Sequence, residues 1–262
     1  MRAIVTRHRA GKPKPPENYA FFMAFMADTT WTVPENGWYR VWCVGKSGDG
    51  GNVSGRSGNG GGGSGGIAQS ILFFKKGTHV PIVIDRTKSA FGDYMTATAG
   101  TDGSAPTAGV GGVATGGNIS NENGFSGGTG GRSETKNSSS TPGGNGANGG
   151  MKGGTGGTTP FSNRYGGGGG AGGARLPAEH CPYVSPPYTN QYTAGSAGRC
   201  GEESCSNGAS STLYPALSPD PSMLLFGGGG GRGGNTSISK HTGSGGAYSV
   251  GTPGIIIIEK GA

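Results

Sequence analysis

The chain has 262 residues, of which 61 are glycine, while hydrophobic residues make up only 31 %. Such a balance excludes an ordinary globular interior, because too few apolar side chains are present to offset the ordering of the backbone. The formal charge of +7 excludes less than it suggests: Arg2, Arg7, Arg9, Lys12 and Lys14 supply most of it from an acid-free start, and the remainder is close to balanced.

Residues 1–16 end in Lys-Pro-Lys-Pro-Pro and read as an extended arm. No aromatics are interleaved with its cations, so a solvated or partner-docked strand is preferred over a nucleic-acid contact. Residues 19–27 (YAFFMAFMA) are too short for a membrane-spanning helix. They follow a proline-rich stretch and not the brief basic start of a signal peptide. They are expected to form a buried strand, or an anchor for another chain. Thr30 to Val33 and Trp38 to Val44 alternate bulky residues around Pro-Glu-Asn-Gly, which predicts a hairpin. Residues 67–74 and 79–85 repeat that design around Lys-Lys-Gly, and residues 94–99 add a short strand. The last strand, residues 254–259, carries four consecutive isoleucines, whose β-branching suits a fully buried central position. No segment has capped helical periodicity. The chain is predicted to be all-β, with little or no α-helix.

Glycine tracts separate these strands, at about residues 54–66, 100–173 and 227–246. Their spacing is locally threefold: Gly-Gly-Thr-Gly-Gly-Arg ends at Arg132, Gly-Gly-Thr-Gly-Gly-Thr at Thr158, Gly-Gly-Ala-Gly-Gly-Ala at Ala174 and Gly-Gly-Arg-Gly-Gly-Asn at Asn235. A period of three is that of the polyproline II helix, which has no internal hydrogen bonds. Packed side by side, such helices must bond to their neighbours and leave no room for an inward Cβ. Flexible linkers mix glycine with serine in no phase. The phased doublets therefore favour order, with glycine inside and every third residue outside.

Residues 175–226 break this pattern: glycine thins out while proline, tyrosine and cysteine rise. Long irregular loops of this kind are commonly functional, and tyrosine offers large contact area at small entropic cost. Tyr183, Tyr188, Tyr192 and Tyr214 are the expected receptor-binding residues. Adjacent His180 and Cys181, followed by Cys200 and Cys205, match no standard zinc spacing. A disulfide with a spare thiol is the better reading. Cys181–Cys200 is its preferred pairing, because that bridge would staple the loop. Neither a catalytic triad nor a paired-carboxylate motif stands out, and no Gly-Lys-Ser/Thr follows a glycine run. No catalytic residue, metal site or cofactor is expected.

Thr30-Trp-Thr-Val-Pro followed by Trp38-Tyr-Arg-Val-Trp-Cys-Val-Gly resembles the opening of the glycine-rich domain of phage tail proteins. Ser89-Ala-Phe-Gly-Asp-Tyr-Met-Thr-Ala-Thr-Ala-Gly and Gly251-Thr-Pro-Gly-Ile-Ile-Ile-Ile-Glu are similar to that family's middle element and closing strand. The resemblance implies a small antiparallel β-sandwich from which polyglycine helices project. A related design, the polyglycine sandwich, caps the long tail fibres of T-even-like phages, where loops between glycine tracts contact the host receptor. It implies a virion-surface protein, assembled in the host cytoplasm, that acts as an adhesin. The expected partners are another virion protein, reached through the N-terminal arm, and a bacterial surface receptor, with no nucleic acid and no membrane insertion. Residues 1–28 are read as docking arm and first strands. Residues 29–262 are read as the glycine-rich body, including the insertion at 175–226. A purely structural tail or decoration protein is the alternative. An ice-binding protein ranks below both for want of a flat threonine array, and an RNA-binding protein would repeat Arg-Gly-Gly.

Overall fold

A computed structural model describes residues 13–51, 59–104, 107–124, 126 and 253–262, together with the backbone of 237–238 and 241–242. These residues contain no helix, and the fold is all-β. The first sheet contains β1 (Tyr19–Phe25), β12 (Ile255–Gly261), β3 (Gly37–Val44), β4 (Ile67–Phe74) and β9 (Ser120–Glu122), in that order. The second runs β2 (Thr29–Thr32), β5 (His79–Ile84), β6 (Lys88–Phe91), β7 (Met95–Thr98) and β8 (Ala114–Thr115). A short ladder pairs β10 (Ser237–Ile238) with β11 (His241–Thr242), and every pairing is antiparallel.

One apolar core is shared by the two sheets. Tyr39, Val41 and Cys43 of β3, Phe74 of β4 and Ile256 and Ile258 of β12 meet Trp31, Val80, Ile82, Phe91 and Met95 of the other sheet. Its centre is aromatic. Trp31 stands edge-on to Tyr39 at 5.1 Å and to Phe74 at 5.7 Å between ring centroids, a favoured geometry for such pairs. Strand β12 lies between β1 and β3, and its four isoleucines are all buried. Alternation sends Ile256 and Ile258 into the shared core, while Ile255 and Ile257 line the opposite face with Trp42, Val44 and Ile67, also buried. A strand buried on both faces requires a continuous apolar run, so the expected central placement holds.

The end of that second face is polar. Glu259, 2 % exposed, accepts from the Arg40 guanidinium at both Nε and Nη2 and from the Trp42 indole N–H at 3.0 Å. Arg40 also lies over the Tyr19 ring, 5.0 Å from its centroid. A buried carboxylate is tolerated only when paired and hydrogen-bonded in this way.

Two sequence expectations need correction. The predicted hairpins do not close: β2 and β3 belong to different sheets, as do β4 and β5. Instead β3 pairs with β4, and β2 with β5, as one long two-stranded ribbon bent at a corner. Val33 donates to Thr78, Gly77 donates back to Val33, and the Asn36 side chain accepts from the Lys76 amide, so the two connections are knitted together. Gly77, at φ +79°, supplies the left-handed residue this corner requires. Secondly, the strand expected to be buried at residues 19–27 is an edge strand. Among the described residues it has one neighbour, with a register shift between Phe21 and Met23, and Phe21 is 47 % exposed.

Beyond β3 and β4 the ribbon continues into glycine, and its hydrogen-bond period changes from two to three. Gly45, Gly48 and Gly51 donate to the carbonyls of Gly66, Gly63 and Gly60. The ribbon of β7 and β8 does the same, with Thr98, Thr101 and Ser104 donating to Val113, Val110 and Thr107. Cross-bonds join the ribbons: Gly60, Gly63 and Gly66 donate to Ser104, Thr101 and Thr98, Gly100 and Gly103 to Lys46 and Asp49, and Gly109 and Gly112 to Gly61 and Ser64. Residues 59–66 are thus bonded to three neighbouring segments and are buried throughout. A Cβ on Gly48 would overlap the Thr101 carbonyl, and one on Gly63 the Val110 carbonyl. On the outer segment the burial has the same period, with Gly109 and Gly112 buried and residues 107, 110 and 113 exposed. The repeats around Thr155 and Arg232 lie outside the described residues.

Substitution should follow this phase. Gly48→Ala and Gly63→Ala each drive a methyl into backbone that cannot move aside, and are expected to cost ~3 kcal/mol or more. Val110→Thr, at a residue 61 % exposed, should change stability by less than about 0.5 kcal/mol. Chemical denaturation of the three variants checks the contrast.

Candidate binding surface

The four tyrosines Tyr183, Tyr188, Tyr192 and Tyr214, and Cys181, Cys200 and Cys205 with His180, lie outside the described residues. Among the described residues, no group of three His, Cys, Asp or Glu side chains is placed to hold a metal ion. No helix among them is long and apolar enough to cross a membrane. Cys43 is fully buried, and its thiol donates to the Ser89 carbonyl at 3.2 Å.

Among the described residues, three open concave surfaces bear on binding. The first lies on the outer face of the second sheet, where alternation turns Val80 and Ile82 inward and leaves His79, Pro81 and Val83 outward. Lys88 and Ala90 continue it on β6, and the Gly92-Asp93-Tyr94 turn closes one end. Gly92, at φ +50°, donates to the Pro81 carbonyl at 2.7 Å, and Tyr94 donates to Phe91 at 3.1 Å. This turn lays the Tyr94 ring edge-on against Phe74, with centroids 5.4 Å apart, while the residue stays 43 % exposed. His79 is held through Nδ1 by the Thr32 hydroxyl at 3.0 Å.

A second cleft sits where the glycine segments meet the β5–β6 turn and is lined by Lys46, Asp49, Arg86, Thr87, Thr101 and Asp102. Much of its charge is internally matched. Lys46 is 3.5 Å from Asp49, whose amide donates to Asp102 at 2.7 Å. Asp85 shapes the turn, accepting from the Thr87 hydroxyl and from the Thr87 and Lys88 amides. Those bonds, the Thr87 hydroxyl first, hold its carboxyl below the usual range. The third surface is an apolar groove between Pro15, Trp38, Phe73 and Ile119, with the Trp38 and Phe73 rings 5.4 Å apart. The Trp38 indole donates to the Pro13 carbonyl at 2.9 Å, so the proline-rich segment is seated against its own sheet.

Sequence reasoning did not single out the first surface. Tyr94 and Asp93 were visible only within a family-like motif, and His79 only as the first residue of a predicted strand. Their convergence depends on β5 and β6 being neighbours. No family model matches this chain, and no curated protein matches it significantly.

Burial pushes the Cys43 thiol up to about 12, with a backbone hydrogen bond opposing the shift. At neutral pH the group is protonated in both folded and unfolded chains and contributes no pH dependence. From its ordinary value of 9.0 up to about 12 the unfolded chain alone loses the proton, so stability falls as pH rises through that window. Cys43 should therefore resist iodoacetamide in the native protein at about pH 8 and react fully once denatured. Mass analysis of the Cys43 peptide provides the check, and native alkylation would contradict the burial.

Proposed function

We propose that this chain is a bacteriophage tail or fibre-tip adhesin, displayed on the virion surface, in which polyglycine II-type packing forms a rigid scaffold for recognition loops. The observation that carries the reading is the period-three network joining residues 45–51, 59–66, 98–104 and 107–113. Most of its buried positions are glycines, with Ser47, Asn59 and Ser64 buried among them, so recognition falls to what the scaffold presents. The chain leaves this network at Gly124, which donates to the Gly112 carbonyl at 2.6 Å. It re-enters at Gly254, packed against the Ser89 hydroxyl and the Lys46 amide. Both ends of the sequence 127–252, which includes residues 175–226 with their tyrosines, are thus anchored in one framework.

The triple substitution of Tyr183, Tyr188 and Tyr192 by alanine tests the reading. Particles carrying it are expected to lose attachment to host cells by at least about tenfold, the effect of ~1.4 kcal/mol, with the thermal unfolding midpoint unchanged. Unchanged adsorption would favour the purely structural alternative.

The arm is proposed to dock onto another virion protein through residues 1–12, because Pro13 and Pro16 are already in contact with Trp38 and Gly261. Deleting residues 2–12 should prevent incorporation into particles while leaving the unfolding midpoint in place. Normal incorporation would refute that role.

A further inference from the structure

We propose that the depression on the outer face of the second sheet is a carbohydrate site that takes one neutral hexose or N-acetylhexosamine unit, with Tyr94 as its stacking platform. A pyranose has an apolar C–H face and a rim of hydroxyls. It is recognised by a rigid aromatic ring flanked by hydrogen-bonding groups of both polarities. The depression offers that combination. Tyr94 is half exposed, yet its ring is fixed edge-on to Phe74 at 5.4 Å and tilted against Phe91 at 6.1 Å, so little side-chain freedom remains to be lost on binding.

Three hydrogen-bonding groups of different character line the depression together with the ring. The Asp93 carboxylate and the Lys88 ammonium, the latter also interacting with the Asp85 charge, both line the same depression. One accepts from vicinal hydroxyls and the other donates to a ring or hydroxyl oxygen. His79 is oriented by Thr32 at Nδ1, which leaves Nε2 for a ligand. Pro81 and Ala90 provide a smooth apolar floor beneath them.

The shape argues for a sugar over a peptide. A peptide anchor needs a deep, fully desolvated apolar hole, whereas this depression is lined by exposed His79, Lys88, Asp93 and Tyr94. The neighbouring cleft with Lys46 and Arg86 is a weaker candidate, because Asp49 and Asp102 already engage its polar groups. The opposite charges of Asp93 and Lys88 also favour a neutral unit over an acidic one.

Position separates this site from the proposed loop-borne receptor contact. It is built by β5, β6 and the β6–β7 turn, and uses none of Tyr183, Tyr188 or Tyr192. Sugar binding without cell attachment, or attachment without sugar binding, therefore distinguishes the two proposals.

The test is a titration of the full chain with the methyl glycosides of glucose, galactose and N-acetylglucosamine, followed by amide chemical shifts. Saturable shifts at His79, Lys88, Asp93 and Tyr94 are expected with at least one glycoside, at millimolar affinity. Tyr94→Ala should weaken binding at least about tenfold, ~1.4 kcal/mol. That variant also loses packing against Phe74, so Asp93→Asn and Lys88→Ala, both at exposed positions, serve as partners that should weaken binding without moving the unfolding midpoint. No saturable shift with any of the three glycosides overturns the proposal, and so does binding that survives both surface substitutions.

Discussion

Hydrogen bonding between backbones, repeated every third residue, is the constraint on which this structure depends. With so few apolar side chains, the interior is completed by main chain packed against main chain. Each buried N–H and C=O must find a partner, and here neighbouring glycine segments provide many of them. Residues 59–66 show the principle most clearly, accepting from residues 45–51, donating to residues 98–104 and accepting again from residues 107–113. Within residues 59–66 successive peptide groups bond in different directions. A segment with three neighbours satisfies that geometry, and glycine alone leaves the neighbours close enough to bond. An interior made this way is satisfied mainly by directional bonds, with apolar burial confined to the two sheets.

The sheets set the register of that network. Strand pairing fixes Val44 opposite Ile67 and Ala97 opposite Ala114, and the glycine segments inherit those alignments where the period changes. In turn the bent ribbon brings the two sheets together, since the corner at residues 33–36 and 75–78 carries both strands across at once. The shared core around Trp31, Tyr39 and Phe74 closes behind it. Side-chain packing, strand register and glycine bonding consequently act on one another, and none specifies the fold alone.

Much of this was legible in the sequence because it is local. Alternation located β3, β4 and β5, and four successive isoleucines located a strand buried on both faces, whereas the threefold glycine repeats read from the sequence, ending at Arg132, Thr158, Ala174 and Asn235, lie outside the described residues. What escaped was pairing. Pro34-Glu35-Asn36-Gly37 and Lys75-Lys76-Gly77 carry ordinary turn residues, and such residues suit a closed hairpin and a sheet-to-sheet corner equally well. Only long-range packing decides between them. The edge position of β1 was hidden for a similar reason: an aromatic run is compatible with a buried strand, and its partner lies at the other end of the chain, where Phe21 aligns with Glu259, 238 residues on. The glycine network also starts earlier than composition suggests, at Gly45, because lysine, serine and aspartate occupy intervening positions. The surface around Tyr94 was illegible as a site, since its members come from separate strands and become neighbours only through the order of the second sheet.

A scaffold of this kind separates what holds the fold from what meets the solvent. On the outer segment, buried Gly109 and Gly112 stand against backbone, while residues 107, 110 and 113 face outward with the same spacing. Outward side chains there contribute little to the interior, so their chemistry can change at small cost to stability, whereas the inward positions tolerate no side chain. The same division applies to the connections. Gly124 and Gly254 are locked into close contact with Gly112, Ser89 and Lys46, and a segment fastened at both ends loses less freedom when it binds than one tethered at a single end. Whatever chemistry meets the solvent must therefore come from the surfaces the glycine network carries, because the network itself offers almost nothing beyond peptide groups already bonded to one another.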